Sequence, residues 1–192
     1  EWGKGKIQRF KLKKSGASFT SEIEDFMVKD GPEEFRPLDV CFSPDGKTMY
    51  VADWNFGGWV NPKVCGRLFK VTYEGKDAPA EPARAKNSDP LEAQLKSLSH
   101  PSHAERMRAQ WTIASLGTAV AFDPLAKLIT DPATPKYGKI HAIWTLSALT
   151  EAGDKRPNPQ GDPAAVWLKA LSDKDEDVRG RIALRIGPLV AG

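Results

Sequence analysis

Phe35-Arg36-Pro37-Leu38-Asp39-Val40-Cys41-Phe42, then Ser43-Pro44-Asp45-Gly46, then Lys47-Thr48-Met49-Tyr50-Val51-Ala52-Asp53-Trp54 is the stretch that decides the fold of the first half. Leu38, Val40 and Phe42 alternate with polar or small neighbours, the period of a strand with one face on a core. Met49-Tyr50-Val51-Ala52 resumes the strand after the turn residues. Pro44 presets φ, Asp45 caps the turn, and Gly46 supplies the left-handed conformation needed to rejoin an antiparallel partner. The segment predicts a tight hairpin with strands over 37–43 and 48–53.

Three further runs flank it. Upstream, residues 6–12 alternate as Ile7, then Phe10 and Leu12 after a slip, with Ser15 and Gly16 ending the run. Ile23 to Val28 is short and is stopped by Asp30-Gly31-Pro32. Downstream, Gly66 to Tyr73 alternates Leu68 and Val71 with Arg67 and Lys70 before Glu74-Gly75. Five short strands form a small open sheet with edges to cover. They fit the antiparallel four-stranded blades of a β-propeller: 37–43, 48–53 and 66–73 as the first three strands of a last blade, and the two earlier runs as the outer strands of the blade before. Residues 1–78 are therefore expected to be C-terminal blades of a propeller, about one and a half in number. The last blade lacks its outer strand, so an upstream segment or another chain is expected to complete the ring.

Residues 79–90 carry Pro79, Pro82 and Pro90 among alanines and charges, the composition of a linker. Beyond them the period turns helical over 91–192. Leu91, Leu95 and Leu98 share a face, and helices are expected over His103–Leu116, Pro124–Ile129, Tyr137–Leu149, Asp162–Leu171 and Glu176–Leu189. Two of these repeat each other: Arg108-Ala109-Gln110-Trp111-Thr112-Ile113-Ala114-Ser115-Leu116 matches His141-Ala142-Ile143-Trp144-Thr145-Leu146-Ser147-Ala148-Leu149. A weaker copy is Arg179-Gly180-Arg181-Ile182-Ala183-Leu184-Arg185-Ile186-Gly187. Offsets of 33 and 38 residues lie in the range of helix-pair solenoids. Asp175-Glu176-Asp177-Val178-Arg179 resembles the start of the second helix of a HEAT repeat. Trp111 and Trp144 read as core packing between repeats. The fold class expected is β + α, the end of a propeller followed by a HEAT-like solenoid.

Composition narrows the partners. The 192 residues are 40% hydrophobic and 28% charged, with a net charge of +3, which is ordinary for a globular chain. Lys4, Lys6, Arg9, Lys11, Lys13 and Lys14 alternate with other residues as the wet face of a strand, so no nucleic-acid partner is expected. No apolar run is long enough to span a membrane. The chain opens at Glu1 and stops at Ala191-Gly192 without a polar capping helix, which suggests continuation at both ends. Cys41 and Cys65 match neither a zinc nor a haem pattern. With a strand between them they would stand about 9–10 Å apart, beyond the reach of a disulfide, unless the intervening loop folds back.

The blade motifs Phe35-Arg36-Pro37-Leu38-Asp39-Val40, Pro44-Asp45-Gly46, Tyr50-Val51-Ala52-Asp53-Trp54 and Gly66-Arg67-Leu68-Phe69-Lys70-Val71 resemble the propeller end of bacterial sorbosone/glucose dehydrogenase-like proteins. Followed by the Arg-Ala-Gln-Trp helix, they are most similar to planctomycete-type membrane-bound dehydrogenase proteins, in which a propeller runs into HEAT repeats. The resemblance implies sugar or aldehyde oxidation with pyrroloquinoline quinone (PQQ), and a periplasmic or extracellular location. It also implies that the loops before 37 and after 53 lie on the cofactor face. Arg36 is then the candidate to grip a quinone carboxylate, with Asp53 and Trp54 beside it and Asn55, Trp59 and Asn61 on the substrate-side loop.

Plainer roles stand next to these. Arg36 could pair with Asp39 or Asp53, Asp53 could be a structural turn carboxylate, and the tryptophans could pack the loop. No catalytic base is identifiable. His100 and His103 lack the acidic or thiol company of a metal site, and His141 occupies the repeat position of Arg108, a structural place. Two function classes remain: a piece of an exported dehydrogenase, or a non-catalytic scaffold binding a protein or glycan through the helical groove. Haem chemistry would need a Cys-x-x-Cys-His segment, and the chain has none.

Overall fold

The computed structural model describes residues 2–16, 18–31, 34–43, 45–56, 64–77, 83–151 and 161–190. The chain divides into two compact units, Glu1–Pro79 and Ala80–Gly192. Among the described residues the first holds two small antiparallel sheets and the second six helices, and no sheet closes into a barrel.

In the sheet unit, β1 (Lys6–Ser15) pairs with β2 (Ser18–Val28), while β3 (Pro37–Phe42), β4 (Thr48–Phe56) and β5 (Val64–Thr72) form a three-stranded sheet in that order. Strand alternation sends Met49, Val51 and Asp53 of β4 to one face, opposite Val71, Phe69 and Arg67 of β5. There Phe35, Met49 and Val51 are buried, with Ile7, Met27, Phe69 and Val71 packed against them. In the turn joining β3 to β4, Asp45 and Gly46 take the places the sequence assigns them, while Pro44 lies outside the described residues. The Gly46 N–H donates to the Ser43 carbonyl (2.9 Å), Asp45 Oδ1 accepts from the Lys47 N–H (3.0 Å), and Gly46 sits at φ +71°. Ser43 adds a bond the sequence did not advertise, its Oγ accepting from the Thr48 N–H at 2.9 Å.

The β1–β2 ribbon is longer than the apolar alternation indicates, its ladder running on to Ser15 opposite Ser18. The extra rungs are laced by cross-strand ion pairs, Lys13 Nζ to Glu22 at 2.5 Å and Lys11 Nζ to Glu24 at 2.6 Å, which hydrophobic spacing along one strand cannot show. The slip after Ile7 is a bulge: Ile7 pairs with Met27, but Gln8 pairs with Asp25. Ile7 and Met27 consequently join the core, while Phe10, Leu12, Phe19 and Ile23 lie exposed on the ribbon's other face. Gly5 precedes the ribbon at φ +62°, where a Cβ would stand 2.9 Å from the Phe35 carbonyl oxygen, so only glycine fits.

The helical unit contains α1 (Leu91–Ser97), α2 (His103–Ser115), α3 (Thr118–Thr130), α4 (Lys136–Glu151), α5 (Pro163–Ala170) and α6 (Glu176–Val190). Helix α1 packs on α2, α3 on α4 and α5 on α6; α4 also meets both α2 and α6, and α3 meets α5. Their shared core is apolar and almost fully excluded from solvent, with Ile113, Leu125, Ile129, Ile143, Leu146 and Ile182 at 0% exposure. Asp162 caps α5 by accepting from the Ala164 N–H (2.9 Å), and Asp175 caps α6 by accepting from the Asp177 N–H (2.8 Å). The N-terminal turn of α4 is tied to the α5–α6 connection by Lys139–Asp173, a largely buried ion pair, and to the first turn of α6 by Lys136–Asp177 at 3.0 Å.

Four expectations change. Helix α3 starts at Thr118 rather than Pro124, carrying the proline inside it; burial of Ala121, Phe122 and Leu125 on one face outweighs the local cost of the proline. Residues 86–89, expected as linker, are held against the first helices: Gln94 Nε2 donates to the Lys86 carbonyl (2.6 Å) and Arg108 Nη1 to Asn87 Oδ1 (2.7 Å). Trp111 is not core, being 60% exposed, whereas Trp144 is half-buried at the core's edge. The third repeat is also phased differently, because Val178 and Ile182 are buried while Leu184 is exposed. Val178 therefore corresponds to Ala142, an offset of 36 residues rather than 38.

Candidate functional site

Asp53 organises the end of the three-stranded sheet where β3 begins and β4 runs out. Strand alternation turns its carboxylate into the core, where it is 4% exposed. Oδ1 accepts from the Arg36 backbone N–H at 2.5 Å, and Oδ2 accepts from Arg67 Nε at 2.6 Å, with Arg67 Nη2 also 2.6 Å away. Arg67 Nη2 donates onward to the Glu34 carbonyl. The Trp54 N–H donates to the Arg36 carbonyl at 3.0 Å. Residues 34–36 are thereby stitched to the adjoining ends of β4 and β5.

This arrangement sorts the candidate residues. The guanidinium on Asp53 comes from Arg67, not Arg36; the Arg36 side chain meets Glu34, Nε to Oε2 at 2.9 Å, and remains 30% exposed. The Asp39 carboxylate accepts from the Val40 N–H at 2.8 Å. Asp53 does not suit a cofactor ligand, since both its oxygens are engaged inside the protein. Arg36 fits that task better, its backbone fixed and its guanidinium reaching solvent. Trp54 is half-buried on the opposite face of β4. Asn55 continues β4 opposite Cys65; its side chain, and all of Trp59 and Asn61, lie outside the described residues. Arg67 was overlooked in the sequence, and the signal for it is its register with Asp53.

Cys41 is exposed and free. It pairs with Tyr50 whereas Cys65 pairs with Asn55, so the two are separated by about 17 Å along β4 as well as by two strand spacings. A disulfide between them is out of reach.

A second polar cluster lies between α2 and α4. His141, 2% exposed, accepts from Arg106 Nε through Nε2 at 3.1 Å, and its Nδ1 meets Gln110 Oε1 at 2.9 Å. These partners assign the proton to Nδ1 and make the ring neutral. Burial, followed by the nearby Arg106 and His103 charges, pushes its pKa down to about 4. Arg106 Nη1 donates to the carbonyls of His100 (2.6 Å) and Pro101 (2.8 Å). Glu105 is buried against Arg108, whose ion pair holds the carboxyl below its ordinary value. His100 is buried with Nδ1 accepting from the Ser102 N–H at 3.0 Å, and His103 is exposed. Among the described residues no three His, Cys, Asp or Glu side chains gather as a metal site, and no helix is long and apolar enough to cross a membrane.

A groove of about 860 Å³ is lined by Glu92, Leu95 and Lys96 of α1 and Pro124, Lys127 and Leu128 of α3. No protein-family model, curated protein or solved structure matches the chain.

Proposed function

We propose that this chain is part of an exported sugar- or aldehyde-dehydrogenase-like propeller protein. On this reading the sheet unit contributes the end of the ring and part of its cofactor-side rim, and the helical unit is a HEAT-like interaction module. The observation that carries it is the Asp53 clamp. The Pro37–Asp53 register and the bonds to Arg36 and Arg67 set the segment before β3 beside the end of β4, which on this reading would be part of the rim. Further support comes from the sheet, where no fourth strand joins β3 or β5 among the described residues. The packing of α2 on α4 and α4 on α6, with α3 on α5, supports the reading as stacked helix pairs.

PQQ would supply the two-electron oxidation. This chain's part would be recognition: Arg36 would hold a carboxylate of the quinone, its side chain steadied by Glu34 and its backbone by Asp53. The test is PQQ titration into the complete propeller protein, followed by a dye-linked assay with aldoses, wild type against Arg36→Gln. Loss of one charge-assisted bond weakens PQQ affinity roughly 10-fold or more. If PQQ does not bind the wild-type protein, the enzyme reading is wrong.

A second reading, a non-catalytic scaffold for a protein or glycan partner, is favoured by one observation. Asp53, the best-placed carboxylate of the rim, is wholly engaged in structure. On that reading Arg36→Gln is silent in every cofactor assay.

A further inference from the structure

We infer that the β1–β2 ribbon is a self-association surface, two copies of the chain packing through the face that carries Phe10, Leu12, Phe19 and Ile23. Strand alternation and the β1–β2 register put Gln8, Phe10, Leu12 and Lys14 on one face with their partners Asp25, Ile23, Ser21 and Phe19. On the opposite face the charges are matched within the ribbon: Arg9 and Lys11 both meet Glu24, and Lys13 meets Glu22. The first face has no such cover. Phe10, Leu12, Phe19 and Ile23 are between 55% and 63% exposed. Roughly 100 Å² of each is open, about 400 Å² per copy, the size at which a contiguous apolar patch marks an interaction site.

A second copy fits this face by charge and by shape. Asp25 stands at one end of it, held by Gln8 Nε2 at 3.0 Å and Lys6 Nζ at 2.9 Å, and Lys14 stands at the other end, about 20 Å along the ribbon. A half-turn about an axis running across the strands, in the plane of contact, lays the second ribbon over the first in reverse order. The Gln8–Asp25 rung then covers the Lys14–Phe19 rung of the second copy, and Phe10–Ile23 covers Leu12–Ser21. Each Lys14 comes to the Asp25 end of the other ribbon, twice by symmetry, and Ile23 stands over the small Ser21. A half-turn about the strand direction would instead bring Lys14 to Lys14 and Asp25 to Asp25. With the flanking polar side chains the contact covers about 1,200 Å² in total, the low end of specific interfaces, so association in the micromolar range is expected.

This inference goes beyond the dehydrogenase reading and uses neither Arg36 nor the Asp53 rim, so its failure and a failure of PQQ binding are read separately. The test is sedimentation equilibrium of the full chain over a range of concentrations. Wild type should pass from monomer to dimer between about 1 and 100 μM. Ile23→Lys, an exposed change, should weaken the dimer at least about 10-fold by setting a charge in the apolar contact. Lys14→Glu and Asp25→Lys should each weaken it about 10-fold when alone, because both symmetric contacts become repulsive. An equimolar mixture of these two variants should dimerise as wild type does, since only the mixed dimer restores both pairs. Circular dichroism checks that every variant is folded. The proposal is overturned by a wild-type chain that stays monomeric at about 100 μM, the outcome expected if a neighbouring blade of a ring is what covers the Phe10 face. An Ile23→Lys dimer as tight as wild type, or a mixture no tighter than the single variants, also overturns it.

Discussion

Arg67 and Asp53 face each other across β4 and β5, with Arg67 Nε and Nη2 each 2.6 Å from Oδ2 of a carboxylate that has no exposed side-chain surface. The pair is structural: it fixes residues 34–36 through Arg36 N–H and the Glu34 carbonyl. Asp53→Ala strands the Arg67 charge and the Arg36 backbone donor at once. We expect a loss of about 3 kcal/mol, the scale for removing one partner of a buried pair, read by urea denaturation of the sheet unit's tryptophan signal. A change below about 1 kcal/mol would contradict the clamp.

Acid should weaken the α2–α4 contact through His141. Its folded pKa of about 4 lies below the ordinary 6.5, so the fold favours the neutral ring. The stabilisation is complete above pH 6.5, declines as pH falls from there to about 4, and levels off below. The span corresponds to at most about 3 kcal/mol. In His141→Gln that decline should disappear from a stability–pH series, leaving the carboxylate contributions of Glu105 and Asp173 at lower pH.

An exposed repeat tryptophan and a core leucine should respond differently. Trp111→Ala, at a position 60% exposed, should cost less than about 0.5 kcal/mol. Leu146→Ala, at 0% exposure, should cost about 3 kcal/mol through the cavity it leaves. Parallel thermal melts would measure both. Equal costs would mean that Trp111 is packed after all.

Gly5→Ala should destabilise the sheet unit by more than about 1 kcal/mol, since the left-handed φ and the Phe35 carbonyl both oppose a Cβ. Gly46→Ala tests φ alone, because nothing lies within 4 Å of the position its Cβ would take. Urea denaturation of the two variants side by side measures the difference, and a smaller loss at Gly46 would separate backbone strain from the clash.

What was readable in advance was local. The Ser43–Thr48 turn and the Asp162 and Asp175 caps follow from residues a few positions apart, so the sequence displays their physics directly. The Arg67–Asp53 pair depends on a register set across the loop between β4 and β5, and no spacing rule fixes that. Trp111 misleads because periodicity tells which residues share a helix face but not what stands over it. Helix α4 has α2 and α6 on its flanks, and Arg181 of α6 lies over Trp144; among the described residues no charged side chain is stacked on Trp111. The Arg106–His141 bond joins residues 35 positions apart, where only the helix pairing reveals the contact. Hairpin logic brings the segment before β3 beside the end of β4, but it does not divide the roles of Arg36 and Arg67.

Lys139 and Asp173, almost sealed from solvent between α4 and the α5–α6 connection, bear on how the helical unit comes apart. If α5 and α6 swung away as a pair, two desolvated charges would be separated, and α4 would lose its apolar contacts with Val178 and Ile182 at the same moment. Fraying from that side is therefore penalised at its first step, and the last two helices should open together with α4 as one cooperative block rather than peel off singly.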